Sequence, residues 1–69
     1  MNQYAKLDIA NEVLSAMIGH YGKNGYDTNN KALMQLLADE KLFFQNDPAT
    51  IEKILNIYAP MVRTNNYTL

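Results

Sequence analysis

His20 is the only histidine of the chain, and it sits in a glycine-flanked segment, Gly19-His20-Tyr21-Gly22. A histidine acts as a base or a metal ligand when a partner orients its ring. No such partner stands at metal-binding spacing, so His20 reads as a surface or C-terminal cap residue, where a cation suits the helix dipole. Asp8 and Glu12 lie one helical turn apart, and Asp39 and Glu40 are adjacent. Paired carboxylates do acid–base work when burial pushes their pKa values apart. Both pairs fall on polar helix faces, with Asp39, Glu40 and Lys41 reading as a solvated ridge, and exposed acids acquire no such shift. Gly19, Gly22 and Gly25 recur every three residues, but they follow no strand and lack the Lys-Ser/Thr of a phosphate-binding loop. The chain has no cysteine, which removes disulfides and thiolate metal sites. No catalytic, cofactor-binding or metal-binding residue is therefore expected. What remains is recognition: Tyr21, Tyr26, Tyr58 and Tyr67 are of a type enriched at interfaces, although each also suits a packed ring with a wet hydroxyl.

Three amphipathic segments must position these side chains. Tyr4, Leu7, Ala10, Val13, Leu14, Met17, Ile18 and Tyr21 recur at steps of three and four, which predicts a helix over 3–21. Gly22 or Gly25 supplies the positive φ of the turn that follows. Asp27 or Thr28 is a suitable cap for a second helix over 28–45. One side carries Ala32, Leu33, Leu36, Leu37, Glu40 and Phe44, and Met34, Ala38, Leu42 and Phe43 widen the apolar face, so it reads as the central helix. Asp47-Pro48 is a strong start for a third helix over 48–59, because Asp accepts from first-turn N–H groups and Pro fixes φ at the first position. Pro60 should end or kink that helix, with an extra turn over 60–64. The reading is an all-α single domain, 1–69: an antiparallel three-helix bundle, or a short version of a four-helix bundle. Its predicted core is Leu7, Val13, Leu14, Met17, Ile18, Leu33, Leu36, Leu37, Phe44, Ile51, Ile54, Leu55 and Tyr58. Arg63 and Tyr67 follow Pro60 and are placed outside it.

With 48% hydrophobic and 19% charged residues, the composition suits a folded domain. A chain this short buries only about 60% of the surface its unfolded form exposes, so stability should be marginal. Six basic and seven acidic residues are interspersed, for a net charge of −1. Without a basic patch, neither nucleic acid nor an anionic membrane surface is an expected partner. No apolar run approaches the roughly 20 residues that span a bilayer, and no signal peptide is legible, so stable membrane insertion is not expected and the location reads as cytoplasmic.

The segments Ile54-Leu55-Asn56-Ile57-Tyr58 and Arg63-Thr64-Asn65-Asn66-Tyr67-Thr68-Leu69 resemble a stretch of the immunity proteins of pediocin-like (class IIa) bacteriocins, the enterocin A immunity family. In that family a third helix with an aliphatic-aliphatic-Asn pattern runs into a Thr-Asn turn ahead of a fourth helix. The resemblance covers residues 47–69 best. The Gly25–Asn30 linker and Pro60 are not part of it, and the chain stops at Leu69, where the fourth helix would begin. The resemblance implies a small, cytosolic, non-catalytic protein of Gram-positive bacteria that gives resistance to an antimicrobial peptide. It would protect the producer cell by recognising the bacteriocin bound to its mannose phosphotransferase receptor. The residues that would touch such a partner are Asn56, Arg63, Asn65, Asn66 and Tyr67. A face left open by an absent fourth helix would also favour a homo-oligomer.

Two other readings compete. A small phage- or plasmid-type helical regulatory protein, acting by protein–protein binding, would have the same amphipathic faces. A helix-turn-helix nucleic-acid binder fits three helices geometrically, but the candidate recognition helix from Pro48 to Ala59 offers only Lys53 as a cation, with Glu52 beside it.

Overall fold

The computed structural model describes residues 2–69. Helix α1 spans Gln3–Tyr21, α2 Lys31–Phe44 and α3 Pro48–Lys53; a π turn, Ile54–Tyr58, follows α3 directly and leads into α4, Ala59–Arg63. The last three elements form one continuous helical rod. The fold is thus all-helical, three rods in up-down-up order, with the first and third parallel. The long α1 packs against α2 and along the third rod.

Each rod begins on a side-chain cap. The Ala5 N–H donates to Asn2 Oδ1 at 2.8 Å, the Leu33 N–H to Asn30 Oδ1 at 3.0 Å, and the Thr50 N–H to Asp47 Oδ2 at 3.0 Å. The second of these corrects the sequence reading. Asn30, not Asp27 or Thr28, caps α2; Asp27 instead turns the loop by accepting from the Asn29 N–H at 2.9 Å. Asn30 is the better cap because its amide also donates to the Tyr21 carbonyl at 2.9 Å, tying the end of α1 to the start of α2. The loop between them turns at Gly25, whose φ of 97° favours glycine.

Two rods end on asparagines in the left-handed region, Asn46 at φ 58° and Asn65 at φ 53°. Around each the paired bonds of a Schellman motif form. Asp47 N–H reaches the Leu42 carbonyl and Asn46 N–H that of Phe43; Asn66 N–H reaches Met61 and Asn65 N–H reaches Val62.

Pro60 does not end the third rod. The ring removes an N–H and crowds the carbonyl four residues back. The π turn absorbs both effects by loosening the helix just ahead of it, with the Ala59 N–H bonded to the Ile54 carbonyl rather than to that of Leu55. The helix then resumes to Arg63, and Thr64 closes it with both its N–H and its hydroxyl on the Pro60 carbonyl.

The core gathers Ala10, Val13, Leu14 and Met17 from α1, Leu36 and Phe43 from α2, and Ile51, Ile54 and Tyr58 from the third rod. Phe44, placed in the core by the sequence reading, is 68% exposed, and Phe43 takes its place at 8%. The buried line of α2 runs Leu33, Leu36, Asp39 and Phe43. The helix is therefore turned so that Asp39 faces inward, which carries Phe43 in and Phe44 out. Leu7, Ile18, Leu37 and Leu55 are only half-buried, and Tyr4, which continues the α1 stripe, is exposed.

Candidate recognition surface

An open groove of about 480 Å³ runs between α1 and the third rod. Lys6 and Ile9 line it from α1, Glu52 from α3, Leu55 and Asn56 from the π turn, and Ala59 and Arg63 from α4. Its floor is apolar and its rim charged. Lys6 Nζ lies 3.3 Å from Glu52 Oε1, and Asn56 Nδ2 donates to Glu52 Oε2 at 3.4 Å. Both contacts are exposed, so they set the rim more than they stabilise the fold.

The five residues singled out from the sequence fall in two places. Asn56 and Arg63 are exposed on the groove. Asn65, Asn66 and Tyr67 belong to the tail that folds back over the end of α1. There Asn65 supplies the left-handed cap, and the Asn66 backbone closes the helix end. The Tyr67 ring stacks on His20 with centroids 3.8 Å apart and planes 7° from parallel. It also meets the Tyr21 ring edge-on at 6.1 Å, and the Leu69 N–H donates to the Tyr21 hydroxyl at 2.9 Å. Tyr67 packs against the core, which corrects its placement outside it. His20 thus has two aromatic ring partners, Tyr67 face-on and Tyr21 edge-on at 4.9 Å.

The acidic ridge of α2 is also corrected. Asp39 is 3% exposed, while Glu40 is half-buried and Lys41 exposed. The Asp39 carboxylate accepts from the Tyr58 hydroxyl, from Lys53 Nζ at 2.9 Å and from Gln35 Nε2 at 3.2 Å. Lys53 Nζ also stands 5.4 Å from the centre of the Tyr58 ring. Burial, then the Asp39 hydrogen bond, then the Asp39 charge, raise the Tyr58 hydroxyl well above its ordinary pKa. Three donors satisfy the carboxylate, so this cluster organises the core rather than presenting a reactive group. Sequence reasoning missed it because Asp39 was read with its acidic neighbour. The available signal was its position three residues after Leu36 and four before Phe43, opposite a stripe tyrosine needing a partner.

Among the described residues no three histidine, aspartate or glutamate side chains group as a metal site would require. Among the described residues no helix is long and apolar enough to cross a membrane. The chain matches no family model, no curated protein and no solved structure.

Proposed function

We propose that this chain is a bacteriocin immunity protein of the pediocin-like class, acting from the cytosolic side by recognising a bacteriocin–receptor complex. One observation carries the reading beyond the resemblance itself. Asn56 and Arg63, which come from its two halves, share one groove with an apolar floor, Ile9, Leu55 and Ala59. An amide and a fixed charge beside apolar surface suit orientation-dependent protein binding without bond-making chemistry.

The test is protection. Expressed in a sensitive Gram-positive strain, the chain should raise the dose of a pediocin-like peptide needed to kill, and Asn56→Ala with Arg63→Ala should remove much of that gain at unchanged helicity. No protection against a panel of such peptides, from a protein shown to be folded, would defeat the proposal and favour a helical regulatory protein that uses the same groove on another partner.

A further inference from the structure

Lys53 and Tyr58 are five residues apart, and both reach the same carboxylate, Lys53 through Oδ1 and Tyr58 through Oδ2 of Asp39. On a regular α-helix, residues five apart point roughly 140° away from each other, at about 100° per residue. They could not converge on one side chain of a neighbouring helix. The π turn between them changes that, because its wider loop brings residues five apart onto nearly the same side. The Ala59 N–H on the Ile54 carbonyl marks this turn in the backbone. Pro60 explains why the helix loosens near this point, but a proline does not require that the side chains at 53 and 58 meet across the core.

We propose that Asp39 is a register lock: by holding Lys53 and Tyr58 together it maintains the π turn, and so fixes where Asn56 and Arg63 stand on the groove. The lock lies in the core and its output lies outside. Closing the π turn to an α turn would rotate α4 by roughly 100° against α3, the contribution of one residue. Arg63 would leave the groove rim while Glu52 stayed. Asp39 is therefore a positioning residue for the groove without touching it. Only the link to recognition rests on the function proposed above; the lock itself does not.

The decisive variant is Pro60→Ala, which restores the missing N–H and suits a helix interior. In the parent, through-hydrogen-bond NMR coupling should join the Ala59 amide to the Ile54 carbonyl carbon. With Asp39, Lys53 and Tyr58 intact, Pro60→Ala should keep that coupling. Adding Tyr58→Phe should move it to Leu55, the α partner. Spin labels on Glu12→Cys and Arg63→Cys, in a chain without native cysteine, should then show a changed distance. If the phenylalanine variant fails to fold, Lys53→Met at the half-exposed member serves in its place. A switch to Leu55 in Pro60→Ala alone would show that the proline holds the turn and overturn the lock. Coupling to Ile54 that persists after Asp39 loses a donor would overturn it as well. Loss of bacteriocin protection is not the readout, so failure of the immunity reading would leave these outcomes unchanged.

Discussion

Asn65 combines a surface position with a backbone duty. Its φ of 53° lies where a Cβ-bearing residue without a short polar side chain is strained. Asn65→Ala should lower stability by about 1 kcal/mol, whereas Asn65→Gly should stay within a few tenths; equal urea midpoints for the two variants would contradict the cap. Reduced protection in Asn65→Ala would then need correction for stability before it counted as lost recognition. Tyr58 makes a second prediction. Its hydroxyl titrates above the ordinary 10.0 in the fold, with burial the largest cause. A raised folded-state value means that the stabilisation is complete below 10.0 and is lost as pH rises beyond it. The parent should therefore lose stability on the alkaline side more steeply than Tyr58→Phe, and parallel pH curves would refute the assignment. The tyrosine was legible as a core residue from its stripe. Its tie to Asp39 was not, because a pattern along one helix does not reveal what the facing helix offers.

Among the elements, the Asp47-Pro48 start of the third rod was the most readable feature and the π turn within that rod the least. Asp47-Pro48 starts α3 because one side chain serves two donors, the Thr50 hydroxyl at 2.6 Å and the Thr50 N–H. In that order these bonds hold the Asp47 carboxyl below its ordinary 3.8. A lowered folded-state value contributes stability above 3.8 that disappears as pH falls through the folded value. Asp47→Asn still caps a helix, so it should match the parent closely near neutrality and show a shallower loss in acid. Denaturant midpoints measured across that range check this, and identical acid limbs would count against the cap. Pro60 was legible as a kink with a helical turn beyond it, but the π turn that absorbs it was not, since that remedy lies in residues ahead of it. Because Ile54 is fully buried and Leu37 half-buried, Ile54→Ala should cost about 2–5 kcal/mol and Leu37→Ala clearly less. The reverse order in thermal melts would mean that the faces are misassigned.

For the whole molecule, the small size makes every satellite contact matter, since only a few kcal/mol separate folded from unfolded chains. The tail is such a contact. Tyr67 joins the core margin, so Tyr67→Ala should lower the melting temperature by several degrees, while the exposed Arg63→Ala should leave it nearly unchanged. Equal melting temperatures for parent and Tyr67→Ala would place the tail outside the fold. A joint Arg63 and Tyr67 variant would therefore mix recognition with stability, which is why the groove pair Asn56 and Arg63 is the cleaner test. The all-helical three-rod plan was legible because two of the rods carry long stripes and the third a strong start signal. The division of the candidate residues between groove and tail was not, because it depends on the tail turning back at Asn65 to reach α1.

The face-to-face stack of His20 and Tyr67 also gives the molecule a built-in magnetic marker. A proton above an aromatic ring is shielded by its ring current. With a single imidazole in the sequence, the His20 ring protons should give one isolated pair of resonances, displaced upfield while the tail is seated. Any ligand or substitution that lifts the tail would return that pair to its free position, reporting on one end of the bundle without a label.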